Sequence, residues 1–392
     1  MRKKKVKRNE KQIYIHSFIH SFFLSVISLA GSVRAQDLRG FTYLYGEMGG
    51  DYFSDEKLIN FRLGQIAYIT YLKLGRAEGY VELVFEKMIE VERLYFGYDF
   101  HKFFTLRVGR VHSPLGYFTR EWHHGVYLMP TIRRPLIIEF EEYGGPLPIH
   151  SIGFEAEGST EIGEFKPGYI IDIGIGNLQF GASPFFDFDK EKTFIGKLFV
   201  KRGFGEVGVS LGYDPFRIKK ESMTMHAHAG HAPPEMQMQE ETVETRFRNF
   251  ILGGNTSYSN SGGLIALLEG FLLRDLESKK SGWGGFLILS YHVFGLELIY
   301  SIRPYLQIGT FDWQDGNPYF EKLQAKLKEE GEGGGYAARN LFNKHIEYSV
   351  GLRIGISPEF AVKIWFSFFD MKKIEDRYFI SLSAGFGIPI YY

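Results

Sequence analysis

Toward its C-terminal end the chain alternates with period two. Ile346, Tyr348, Val350, Leu352 and Ile354 fall on one face, while Glu347, Ser349, Gly351, Arg353 and Gly355 fall on the other. That is a strand with one apolar face and one polar or small face. After a turn at Ser357 and Pro358, the residues Phe360, Val362, Ile364, Phe366 and Phe368 alternate with Ala361, Lys363, Trp365 and Ser367. The last strand places Tyr378, Ile380, Leu382, Ala384, Phe386, Ile388 and Ile390 on one side and ends in Tyr392. A soluble β-sandwich would turn polar side chains outward, whereas here the continuous face is aliphatic and aromatic.

The same reading marks strands near 40–48, 63–74, 79–87, 91–100, 103–112, 149–157, 168–177, 193–202, 206–214, 246–258, 264–274, 283–292 and 294–303, giving about sixteen in all. If the first strand rises from the periplasm, alternate connections must be short turns. Those predicted there are 75–78, 101–102, 158–167, 203–205, 260–263, 293 and 357–358, all of hairpin length. The opposite set holds every long connection: 113–148, 178–192, 215–245 and 304–344. This parity predicts an all-β, transmembrane, antiparallel up-and-down β-barrel of about sixteen strands with long external loops. Within 304–344, Asn317 and Pro318 followed by Phe320, Leu323 and Leu327 predict one short external helix.

Composition fits that class. Aromatic residues make up 17% of the chain, Gly is counted 46 times, and mean hydropathy is only −0.14. Barrels keep average hydropathy low by alternating lipid-facing and lumen-facing residues. Arg2, Lys3, Lys4, Lys5, Lys7, Arg8 and Lys11 precede an apolar run near 18–30 and then Val33, Arg34 and Ala35. This order predicts a signal peptide over 1–35, cleaved after Ala35, and an outer-membrane porin domain over 36–392. A signal anchor is the alternative, but His16, Ser17 and His20 shorten its apolar region. The chain holds 46 basic and 46 acidic residues; without the 8 basic and 1 acidic residues of 1–35 it carries 38 against 45, a net charge of −7. Nothing in that balance calls for nucleic acid. Cysteine is absent, which excludes disulfides, thiolate metal sites and a lipidated cysteine.

A barrel of this size encloses an aqueous channel unless something fills it, and selectivity then comes from charged rings and inward loops. The third external connection, 113–148, is the candidate constriction. It carries Arg120, His123, His124, Arg133 and Arg134 opposed by Glu121, Glu139, Glu141 and Glu142, and Arg107 points to the lumen by strand phase. Guanidinium groups in a narrow channel attract anions, whereas facing carboxylates produce a transverse field with little net preference. A solvated loop with internal salt bridges is the competing reading. Lumen-facing charges elsewhere include Lys73, Arg93, Lys197, Lys201, Arg303 and Lys363 against Glu82, Glu86, Asp99, Glu155, Glu157, Asp172, Glu269 and Glu297.

Arg107, Val108, Gly109 and Arg110, followed by Ser113, Pro114, Leu115, Gly116 and Tyr117, form a G-[RK]-x-x-x-P-x-G passage from strand to loop. It resembles that of sixteen-stranded porins of the phosphate-selective O and P type, specifically over 93–135 and in general outline elsewhere. The resemblance implies a homotrimeric diffusion channel. The arginine ladder and lysine clusters of that family do not map onto this chain residue by residue. The aromatic last residue in phase with the lipid face resembles the signature read by the barrel assembly machinery.

A second unusual stretch contains Met223, Met225, His226, His228, His231, Met236 and Met238. Imidazole and thioether groups suit weak copper binding, or another transition metal, outside the cell; a polar loop with clustered His and Met is the alternative. HExxH does not occur, and no local motif indicates the spatial convergence of Ser, His and Asp that a triad requires. The expected function is a passive porin for small hydrophilic solutes, with anions such as phosphate among the candidates and no cofactor required. The alternative is a non-conducting barrel that binds metal or a surface partner through the His/Met stretch. Expected partners are outer-membrane lipid, the solutes and the assembly machinery.

Overall fold

The computed structural model describes residues 38–54, 57–85, 89–122, 129–139, 147–175, 191–224, 239–260, 263–294, 299–314, 345–371 and 377–390. Residues 1–35, the predicted helix near 317–331, and Glu86, His123, His124 and Glu297 lie outside them.

Antiparallel strands follow one another in chain order: β1 (Leu38–Phe53), β2 (Leu58–Leu74), β3 (Ala77–Phe85), β4 (Ile89–His101), β5 (Phe104–His112), β6 (His150–Ser159), β7 (Phe165–Ile175), β8 (Thr193–Arg202) and β9 (Gly205–Thr224). They continue as β10 (Gln239–Ser259), β11 (Leu264–Asp275), β12 (Ser281–Tyr291), β13 (Val293–Phe294), β14 (Ser301–Trp313), β15 (His345–Gly355), β16 (Phe360–Met371) and β17 (Arg377–Ile390). Each pairs with its chain neighbours, except that β12 and β13 both pair with β14 and not with each other, and β1 pairs with both β2 and β17, so the sheet closes without an edge.

β12 and β13 are two halves of one stave, which makes the barrel sixteen-stranded. Ser290 pairs with Tyr305 and Val293 with Ile302 in one unbroken register. The ladder lapses between them opposite Pro304, which has no N–H to donate. The connection expected at residue 293 therefore falls after β13, and Pro304 is inside β14 rather than at the start of a loop. Its side chain faces outward while Tyr305, Gln307 and Phe311 continue the inward phase.

Other strands outrun their expected limits, β1 and β2 meeting in a hairpin at 54–57 and β9 and β10 shortening the connection expected at 215–245 to 225–238. The strand ends that flank every connection longer than six residues are still all at one end of the barrel. At the other end the turns are tight, as at Gly75 and Gly203, whose φ values of 59° and 56° suit glycine.

The outer face is apolar: Leu198, Val200, Val207, Val209, Leu211, Leu268 and Leu272 are exposed. Between them, Lys197, Ser210 and Glu269 point inward and are buried. An apolar band outside and a polar alternate inside is the solution the hydrocarbon phase imposes on a closed sheet.

Candidate functional site

The connection between β5 and β6 runs inside the barrel. Its neck is closed by Ser113, whose N–H donates to the Ile149 carbonyl at 2.8 Å. Beyond it, the lumen wall receives the chain group by group. Ser210 Oγ donates to the Pro114 carbonyl at 3.0 Å, and Lys197 Nζ donates to the Gly116 carbonyl at 2.7 Å. Glu269 Oε1 accepts the N–H groups of Tyr117 and Phe118, both at 2.6 Å. These N–H groups begin the single helical turn α1 (Phe118–Glu121), and a carboxylate is the natural partner for donors that a helix leaves open. Gly116 has φ 76°, and a Cβ there would collide with the Glu269 carboxylate. The Pro-Leu-Gly turn is thus shaped to meet β11.

The rest of the loop is greasy. Leu115, Phe118, Met129, Ile132, Leu147 and Ile149 are buried, together with residues 136–138 of the short helix α2 (Leu136–Glu139). They pack on inward-facing side chains of β10–β17, including Ile251, Phe271, Phe286, Phe311, Trp365 and Phe369. Phe118 meets Phe286 edge to face at 5.6 Å. At about 1.5–3 kcal/mol for each buried apolar side chain, nine of them contribute on the order of 15–25 kcal/mol, an upper bound. Such a segment does not swing out as a unit by thermal motion. Two polar ties add direction: Lys363 Nζ donates to the Thr131 carbonyl at 3.1 Å, and Arg133 lies 3.8 Å from Asp51 and 4.3 Å over the Phe379 ring.

The wall formed by β2–β9 has the opposite character, because period two sends its charged residues inward. Arg107 donates to Glu78 and Glu155 at 2.6 Å and to Glu157 at 2.5 Å. Arg120, carried in from the loop, reaches Glu155 at 2.5 Å and Glu157 at 2.8 Å. Lys73 pairs with Asp99 at 2.7 Å, Lys197 with Glu206 at 2.6 Å, and Arg93 with Glu82 at 2.5 Å while also donating to the Tyr80 hydroxyl. Water reaches part of this wall, since the side chains of Lys73, Asp99 and Glu157 are 34%, 28% and 28% exposed. The arrangement pairs alternating charges side by side rather than presenting a run of one sign.

Of the residues expected at a constriction, Arg107 and Arg120 share one carboxylate cluster, and Arg133 lies against a different stretch of wall beside Asp51 and Phe379. Arg134 is half-buried, within Coulombic reach of the Tyr45 hydroxyl. Glu139 ends α2, its side chain lying outside the described residues, as do His123 and His124. Of the His/Met stretch, Met223 falls on β9, while Met225, His226, His228, His231, Met236 and Met238 lie outside the described residues. Strand phase places Lys197 and Glu269 in the lumen, as the structure does, but does not show that they and Ser210 receive the loop, nor that half of the lumen is apolar. A signal was available: in β11 the run Leu264, Ile265, Ala266, Leu267 and Leu268 is apolar on both faces, which leaves one of those faces for an internal partner.

With this geometry in hand, the chain compares with known structures as a fold. It is similar to the outer-membrane channel DcaP of Acinetobacter baumannii (TM-score 0.54, 9% identity, covering 91% of this chain and 99% of that one). It is also similar to OmpT, an outer-membrane protein of Vibrio cholerae (0.55, 8%, 91% and 99%), and to an anion-selective porin from Comamonas acidovorans (0.51, 10%, 90% and 100%). A trimer form of the Vibrio protein matches as well. No protein-family model and no curated protein matches the chain. The sixteen-stranded barrel fits the porin class in architecture; at these identities the likeness is one of fold.

Proposed function

We propose that the chain is a passive outer-membrane channel for small hydrophilic solutes, narrowed by the inward loop to a passage along the charged wall of β2–β9. The observation that carries this reading is the division of the lumen. One side is filled by an apolar loop core, while the other keeps partly hydrated ion pairs centred on Arg107, Arg120, Glu155 and Glu157. Paired charges create a local transverse field and leave little net attraction for either ion sign. Anions such as phosphate therefore pass without strong preference, in contrast to the phosphate-selective type that the strand-to-loop passage resembles. Cleavage after Ala35, homotrimeric assembly and location in a Gram-negative outer membrane belong to the same proposal.

Planar-bilayer recording tests it. The expected result is discrete channels of small conductance whose reversal potential in a KCl gradient stays close to zero. Reversal at the chloride potential would overturn the weak preference. Absence of channels would overturn conduction altogether and favour the second reading, a closed barrel, to which the extent of the apolar loop core lends support. In that second reading the His/Met stretch is a weak external copper site, which fails if deleting residues 223–238 leaves copper binding unchanged.

A further inference from the structure

Toward the short-turn end, the lumen wall carries a row of aromatic rings set by strand register. Phe41 on β1 stands directly across the ladder from Tyr71 on β2, Tyr71 from Tyr80 on β3, and Tyr80 from Tyr95 on β4. They share the inward phase of Tyr45, Glu78 and Arg93: the Tyr71 hydroxyl donates to Glu78 at 3.0 Å, and the Tyr80 hydroxyl accepts from Arg93. Ring centroids follow one another at 5.7, 6.4 and 5.3 Å, the last pair stacked within 8° of parallel. Tyr80 is buried between Tyr95 and the Arg93 guanidinium, which lies 4.2 Å over its ring. Phe41 is 45% exposed, and Tyr71 and Tyr95 are half-buried, so ring surface is offered on both sides of Tyr80. Beyond Tyr95 the row continues through Gly109 on β5 and Gly153 on β6, which project no side chain.

Two residues nearer the short turns on each strand, roughly 7 Å away, runs a polar row. Lys73 stands across from Glu78, Glu78 from Gly97, and Gly97 from Arg107. Each of these charges is paired within the chain: Lys73 with Asp99, and Glu78 with Arg107 at 2.6 Å. Such pairs give an ion of either sign little net attraction. A hydroxyl group is different, because it both donates and accepts and is served by a cation beside a carboxylate. The rings supply the complementary half. Their faces carry the negative side of the aromatic quadrupole and attract weakly positive C–H groups. A pyranose presents C–H groups on its faces and hydroxyls round its rim, which matches ring surface bordered by fixed polar groups.

We propose that Phe41, Tyr71 and Tyr95, with Lys73, Glu78 and Arg107 along their edge, form a binding shelf for neutral sugars of one or two pyranose rings. The shelf rests on the reading of the interior as a solute passage and names the solute class: uncharged, rich in hydroxyls and flat on one side. Tyr80 is the buried rung that sets the spacing of its neighbours. Cross-strand aromatic pairs also brace a sheet, and that role alone would leave sugar binding absent.

The test is saturation-transfer NMR of maltose with the full barrel, folded in a detergent that has no sugar headgroup. Y71L/Y95L and F41L are compared with the wild type, and Tyr98, 38% exposed on the outward phase of β4, supplies the control Y98L. The expected result is saturable maltose binding in the wild type and in Y98L that is at least tenfold weaker in Y71L/Y95L. Sorbitol, which has the hydroxyls without a ring face, is expected to bind the wild type at least tenfold more weakly than maltose. Absence of saturable maltose binding by the wild type would overturn the shelf. So would equal binding by the wild type and Y71L/Y95L, or equal binding of sorbitol and maltose. If the double variant does not fold, F41L must weaken maltose binding at least threefold, and unchanged binding would overturn the shelf. The readout does not depend on conduction, so a barrel that binds maltose but passes no current is told apart from a channel that lacks the shelf.

Discussion

Glu269 pins the start of the inward loop, and its replacement gives a prediction with a calculable size. The carboxylate is 1% exposed and accepts two backbone N–H groups at 2.6 Å each. In Glu269→Ala both donors stay buried and lose their acceptor, at about 1–3 kcal/mol apiece, so the loop start loses roughly 2–6 kcal/mol. In Glu269→Gln an acceptor oxygen remains, and exchanging charge-assisted for neutral bonds removes about 1 kcal/mol per bond, or roughly 2 kcal/mol. Local opening then becomes about thirtyfold more frequent in the glutamine variant and up to about twenty-five-thousandfold in the alanine variant. Hydrogen exchange of the Tyr117 and Phe118 amides reads this directly, with strand amides near Gly253 as an internal standard. If both amides in Glu269→Ala exchange within about threefold of the wild-type rate, the loop is not held by this carboxylate.

Two further substitutions probe other links. Arg120→Ala removes a cation from Glu155, which is 1% exposed, and breaking such a buried pair costs about 3–5 kcal/mol, less whatever Arg107 recovers. A double-mutant cycle with Glu155→Gln should return a coupling of at least about 1 kcal/mol, and additivity would exclude a working pair. Leu198→Arg places a charge on the outer face of β8, where Leu198 is 69% exposed. In lipid it should cost about 2–4 kcal/mol if it sits near the bilayer midplane. Unchanged folding in lipid vesicles would mean that this face does not meet hydrocarbon.

The barrel was legible because the period-two pattern reports directly on which side each residue faces, and the parity of turn lengths checks the count. Pro304 shows the limit of that logic. Proline is read locally as a break, yet on this stave its missing N–H merely interrupts one ladder while the register continues through it. The lumen was legible in part for a related reason. Phase alone places Arg107, Glu155 and Glu269 inward, but it cannot say that Arg120 is delivered to Glu155 from a segment 35 residues earlier. Nor does phase reveal that Phe271, Phe286 and Trp365 line the interior to receive Leu115, Phe118 and Ile138. Charged loop residues point toward selectivity, whereas most of the energy holding this loop is apolar.

In the channel proposed above, the inward loop held by its apolar core sets the width of the passage through the sixteen-stranded barrel. Single-channel conductance of the wild type against a variant in which residues 129–138 are replaced by a short Gly/Ser linker tests it most directly. Small conductance is expected in the wild type and a severalfold larger one in the variant, because Met129, Ile132, Leu136, Ile137 and Ile138 no longer occupy the lumen. Equal conductance in the two proteins would contradict it.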